Sequence, residues 1–361
     1  MASKGAPGAT RERFGTLESG EAVEAVTLRS GAGLEARIIS YGAAVQSTLA
    51  ADRDGAFADV ALGYPTLEGY LTGSEYLGVT VGRVANRIAG GRFDLDGQSY
   101  QVPVNNGPNA LHGGPGGFDR ANWTVVEVAD APEPRVTLRL VSPHMDQGFP
   151  GEVTVTATYS LGEDGTLAVE YLATTDRPTL VNLSNHAYWN LAGEGSEEGA
   201  MGHLLTIHAD HYHPTDAGSI PTGEFRAVEG TPFDFRTPTA VGVRVRDAAD
   251  EQIRIGKGYD HNWVVARDVS DEPRPIARVE EPKSGRVLEV LSNQPGVQFY
   301  SGNFLDGSRT GKSGRLYRQG DAVVLEPQKF PDTPNRPEFG SVRLEPGETY
   351  RNLILFRFSA S

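Results

Sequence analysis

The sequence predicts an all-β chain, an antiparallel sandwich or barrel with few short helices. Three observations carry this: apolar and polar residues alternate with period two in run after run, turn dipeptides separate the runs, and no long stretch has helical period. Residues 23–28 form the first clear run, followed by 135–140, 152–159 and 167–172, each rich in β-branched residues and alternating as a strand buried on one face does. Asp54-Gly55, Asp96-Gly97, Asn106-Gly107, Asp164-Gly165 and Asp306-Gly307 supply the positive φ that tight hairpins demand. The best hairpin candidate pairs 92–95 with 98–102 across Asp96-Gly97, and only 66–71 suggests a short helix. Residues 350–358 form a closing strand.

The chain has 361 residues, with 44 Gly and 23 Pro, far short of the strict glycine repeat of a collagen and consistent with many turns. Residues 1–13 are small, polar and mixed in charge, and are expected to be a flexible tail preceding one domain over 14–358. The Pro-rich stretch 327–346 lies too near the C-terminus to divide it. The glycine cluster 113–117 leads into a strand at Trp123 rather than a long helix, so a dinucleotide-binding turn is excluded and a loop expected.

Composition removes several function classes. A net charge of −14 with no basic run disfavours a grip on nucleic acid or an anionic membrane. Zero cysteines exclude disulfides, thiolate metal sites and cysteine nucleophiles. No apolar run approaches the ~20 residues of a membrane span, and the N-terminus lacks a signal peptide's apolar segment. The expected location is the cytoplasm, or the periplasm if a signal peptide has been removed.

The alternation is broken by polar residues in aromatic or Gly-rich company at 82–88, 111–114, 185–191 and 258–262, and a carboxylate, Glu326, ends the apolar run 323–325. Together with Gln298-Phe299-Tyr300-Ser301-Gly302-Asn303 and Leu325-Glu326-Pro327-Gln328, the motifs Asn86-Arg87-Ile88-Ala89-Gly90-Gly91-Arg92-Phe93, Leu111-His112-Gly113-Gly114, Asn185-His186-Ala187-Tyr188-Trp189-Asn190-Leu191 and Tyr259-Asp260-His261-Asn262 resemble the aldose 1-epimerase (galactose mutarotase) family in order and wording. The resemblance runs from Phe14 to Phe358. It implies a large antiparallel β-sandwich with an open sugar cleft on one sheet, and interconversion of the α and β anomers of free aldohexoses such as galactose and glucose, with no metal or organic cofactor. The partner it implies is a small sugar, bound by a monomer or homodimer.

The residues fit that chemistry. Opening a hemiacetal ring needs a base for the anomeric hydroxyl and an acid for the ring oxygen. The resemblance makes Glu326 the base and His186 the acid, and adds His112 as a second catalytic histidine near the ring and anomeric oxygens. These assignments predict an ionised Glu326 and a protonated His186 in the free enzyme. Arg87 offers a planar donor fork for charge developing on the ring oxygen, while Asp260 and Gln298 resemble residues that bind sugar hydroxyls. Asn86 is a further binding candidate, and Tyr188, Trp189 and Tyr300 could face sugar C–H groups.

Three other readings compete. A metal hydrolase could use His203, His208, His211 and His213, although three of these are expected on a solvated turn. Glu326 and Asp260 could be a glycosidase's paired carboxylates. A sugar-binding module could share the sandwich, but binding alone does not call for a matched base and acid.

Overall fold

A computed structural model describes residues 6–361. Its largest sheet has nine strands, in the order Thr124–Ala129, Arg135–Ser142, Val153–Leu161, Thr166–Thr175, Tyr350–Ala360, Arg286–Ser292, Arg274–Glu280, Leu204–Ile207 and Thr239–Ala240. Six strands make a second sheet: Tyr188–Trp189, Val323–Gln328, Gly296–Tyr300, Asp260–Val264, His211–His213 and Arg226–Ala227. The strand pairings of both are antiparallel. The expected all-β antiparallel sandwich is therefore observed.

Period-two alternation determines what each face meets. In Val323–Gln328, Val323 and Leu325 join the main core, as do Trp189, Trp263 and Phe299 from neighbouring strands. Trp189 packs on Phe356 and Phe358 of the closing strand, with ring centroids 5.1 and 5.3 Å apart. The intervening residues, among them Val324, Tyr188 and Tyr300, face the other way and belong to a second apolar cluster. The strand is buried on both sides, so its fourth position, Glu326, can carry function only if the second side opens locally. The closing strand sits centrally, between Thr166–Thr175 and Arg286–Ser292, and so ties distant parts of the chain together.

The hairpin at Asp96-Gly97 forms as expected, with φ of 53° and 75° and Leu95 opposite Gln98. Asp306-Gly307 does not turn the chain. It opens the strand Asp306–Thr310, and the reversal comes later, where Gly311 N donates to Arg315 O. The expected short helix is Leu67–Thr72. A second, Glu251–Gly256, is too short to show periodicity, and its one sequence signal is Asp250, whose carboxylate caps Gln252 N and Ile253 N.

The expected tail over residues 1–13 needs correction from Gly8 onward, while residues 1–5 lie outside the described residues. Gly8–Thr16 is a strand paired with Ala22–Arg29 at the edge of a five-stranded sheet. It lacks apolar alternation because much of it is exposed; backbone pairing and the ion pair Arg11–Glu24 hold it instead. Truncation to Phe14 should therefore destabilise the protein by about 2 kcal/mol or more, from several net hydrogen bonds at ~0.5–1.5 kcal/mol each. An unchanged calorimetric midpoint would show that this strand contributes nothing.

Candidate functional site

The outer face of the six-stranded sheet opens into a cleft of about 410 Å³. Register places its polar residues: Gln298 pairs with Glu326 and Asp260 with Tyr300, so all four project from one face. Asp260, Glu326, Tyr188 and Tyr300 line the cleft. Trp189, next to Tyr188, necessarily points into the core. Gln298 stands behind the lining, donating from Nε2 to Asp260 Oδ1 at 2.8 Å.

Loops deliver the remaining groups. Arg87 and Leu111 pair in a two-stranded ribbon, which brings the residues flanking them, Asn86 and His112, side by side. Both have left-handed backbones, φ 61° and 52°, stabilised reciprocally: His112 N donates to Asn86 O at 3.0 Å, and Asn86 N donates to His112 Nδ1 at 3.1 Å. With Nδ1 accepting, the neutral imidazole carries its proton on Nε2. Gly113 must follow, because at φ +90° a Cβ would lie 2.1 Å from Gly82 O. Arg87 Nε donates to Asn106 Oδ1 at 3.0 Å, and its Nη2 lies 3.5 Å from Asp260 Oδ2.

His186 extends from Ser184–Asn185, a short strand paired with Thr80–Val81. Its Nε2 is 3.6 Å from Glu326 Oε1, too long for a hydrogen bond. Both residues are almost entirely buried, at 5 and 2 % exposure. Burial drives both towards neutrality. It pushes Glu326 well above the carboxylate range, reinforced by Asp260 and opposed by Arg87. It pulls His186 down to about 4 against the opposing pull of its own backbone contact and Asp260. Burial, with the charges of His186 and Arg87, also keeps His112 well below the usual histidine value. Burial thus favours the uncharged form of each group, whereas the sequence reading expected an ionised Glu326 and a protonated His186. Desolvation, invisible in sequence, makes the difference.

The structure brings Asn86, Arg87, His112, His186, Asp260 and Glu326 onto one cleft. Sequence reasoning missed Asn106, Glu75, Tyr76 and Arg309, which also line it and sit in segments with no break of pattern. The other histidines do not converge. His208 and His211 are exposed, but His203 is buried with Nε2 accepting from Leu191 N at 2.9 Å, and His213 is buried among Phe225, Phe330 and Phe339. Three on a solvated turn was thus an overestimate: His211 and His213 share one face of their strand, and Phe225, Phe330 and Phe339 cover that face at His213. Among the described residues, the grouping with spacing for a metal is His112, His186 and Glu326, whose donor atoms lie within 4.8 Å of one another. No helix among them is long and apolar enough to cross a membrane.

A buried carboxylate and imidazole facing each other across a polar cleft, on the open face of an antiparallel sandwich, make up the equipment of a proton-transferring enzyme for a small polar substrate. The aldose 1-epimerase family model matches residues 24–357. Rat galactose mutarotase is 45% identical, covering 98% of this chain and 99% of its own length. Aldose 1-epimerase of Escherichia coli K12 is 37% identical over 94% of this chain and 96% of its own. Among solved structures, galactose 1-epimerase from Lactobacillus acidophilus superposes with TM-score 0.86 at 28% identity, covering 99% of this chain and 100% of that one. The aldose epimerase homologue from C. elegans gives 0.83 at 34%, covering 92% and 98%. The chain belongs to the aldose 1-epimerase family, and is an isomerase that interconverts sugar anomers.

The buried hydrogen-bond geometry predicts that His112 stays neutral, with its proton on Nε2, from pH 5 to 8. Nitrogen-15 NMR of labelled imidazoles should show this pattern; a His112 that titrates near 6.5 would contradict the assigned pairing with Asn86.

Proposed function

We propose that the substrates are free aldohexoses such as galactose and glucose, with Glu326 as base and His186 as acid. The observation that carries this reading is the 3.6 Å approach of His186 Nε2 to Glu326 Oε1 in a buried, cleft-lining pair. In the reactive arrangement the shared proton sits on His186. Glu326 removes the proton of the anomeric hydroxyl, the C1–O5 bond breaks as the C1=O1 double bond forms, and His186 protonates O5. Rotation about C1–C2 presents the other face of the aldehyde, and the same steps in reverse close the ring.

Desolvation has a direct role in this cycle. Ring opening converts Glu326 carboxylate and His186 imidazolium into the neutral acid and neutral imidazole, the state that burial favours. The cleft therefore destabilises the charged pair beside the closed ring and relaxes as the ring opens. His112, neutral and donating from Nε2, suits a ring or anomeric oxygen. Arg87, braced by Asn106, and Asp260, braced by Gln298, suit hydroxyl recognition, and the charge of Arg87 restrains the rise of Glu326. Asn86 acts by setting the tautomer of His112.

Polarimetry of fresh α-D-galactose and α-D-glucose tests the reaction. Glu326→Gln and His186→Asn should each lower kcat by ~10²–10⁴-fold, the range of a positioned acid or base. Wild-type-like mutarotation by either variant, or robust nitrophenol release from nitrophenyl galactoside, would overturn the assignment. Activity should also survive EDTA dialysis; loss restored by zinc would make the triad of His112, His186 and Glu326 a metal site instead.

The pH profile of kcat/KM should be bell-shaped and broad. Its acid limb belongs to uptake of a second proton by the pair, near the value of about 4 to which burial brings His186. Its basic limb belongs to loss of the remaining proton, above the ordinary carboxylate range because Glu326 is raised. An acid limb near 6.5 would show that His186 titrates as a solvated imidazole.

A further inference from the structure

Glu75 and Tyr76 form one wall of the cleft, and the mechanism above leaves both unused. Tyr76 has a left-handed backbone, φ 58°, which a bulky residue adopts only when its surroundings hold it. Its ring lies 4.7 Å from that of His112, edge-on, and 5.7 Å from that of His186. Desolvation raises its phenol to about 12, so the hydroxyl stays protonated.

The neighbouring Glu75 explains how this conformation is maintained. Its Oε2 accepts from Tyr64 Oη at 2.6 Å and Ser74 N at 2.8 Å, while its carbonyl accepts from Tyr188 Oη at 2.6 Å. Its Oε1 accepts from Arg309 Nε at 3.2 Å. Arg309 stands on Asp306–Thr310, far along the chain, and Nη2 donates to Thr72 O at 2.8 Å. The hairpin therefore reaches over the mouth of the cleft and pins the loop that carries Tyr76.

We propose that Tyr76 is a substrate-positioning residue, its ring walling the sugar against the two histidines, and that the Glu75–Arg309 ion pair is the strap that keeps it in place. The proposal rests on the sugar reading above. It assigns Glu75 and Arg309 an effect on catalysis through Tyr76 rather than by touching the reacting atoms.

Steady-state polarimetry on galactose, with thermal melts alongside, tests the strap. Tyr76→Ala should lower kcat/KM by about 30-fold with a raised KM, and Tyr76→Phe by only a few-fold. Glu75→Gln and Arg309→Gln should each cost about 5-fold, and their combination no more than the worse single change, because both break one interaction. Either change added to Tyr76→Ala should cost nothing further. Molar salt should bring the wild type towards Arg309→Gln while barely affecting that variant. Arg309→Met gives the same reading from the more exposed partner if Glu75→Gln fails to fold. An active wild type whose Tyr76 and Arg309 variants keep full kcat/KM, or a double variant whose losses multiply, overturns the strap alone. A wild type inactive on every free aldose overturns the sugar reading and the strap with it.

Discussion

The structure depends on one constraint: the strand Val323–Gln328 is buried on both faces, and at Glu326 one of those faces opens into a cleft. Alternation sends Val323 and Leu325 into the sandwich core, which leaves Glu326 no other direction to point. Antiparallel register then sets its neighbours, with Gln298 directly across and Asp260 one strand further on. Backbone hydrogen bonds thus position the carboxylates of Glu326 and Asp260 and the Gln298 amide that orients Asp260. Sites carried on strands hold geometry more tightly than sites carried on loops.

Burial supplies the second half of the design. In water the carboxylate would be ionised and the imidazole partly protonated at neutral pH, but in this cleft desolvation favours the uncharged pair. Asp260 and Arg87 adjust the balance in opposite directions and lie 3.5 Å from each other, so the charged groups nearest the pair are themselves paired.

The loop side of the cleft is built on a different principle. Tyr76, Asn86 and His112 all have left-handed backbones, and each is flanked by tight contacts that make the conformation affordable. Concentrated in one wall, these residues place aromatic and imidazole rings at angles that strands cannot present. The cleft therefore combines a rigid sheet floor, which positions Glu326, with strained loops that aim Tyr76 and His112.

Much of this was legible in the sequence, because alternation and turn chemistry are local properties. The strands over 135–140, 152–159 and 167–172, the Asp96-Gly97 hairpin and the antiparallel β architecture follow from residue order alone. So did the motifs containing His112, His186, Asp260 and Glu326, which interrupt that alternation. The edge strand Gly8–Thr16 was not legible, since backbone pairing to a neighbour leaves no apolar pattern. Nor was the aromatic cover over His213, the ion pair from Arg309 to Glu75, or the desolvation of Glu326. The sequence by itself determined the β architecture and singled out the polar groups that the cleft gathers. Only the tertiary structure decided their burial and partners, because desolvation and ion pairing depend on which distant segments close over a residue, and no local pattern records that.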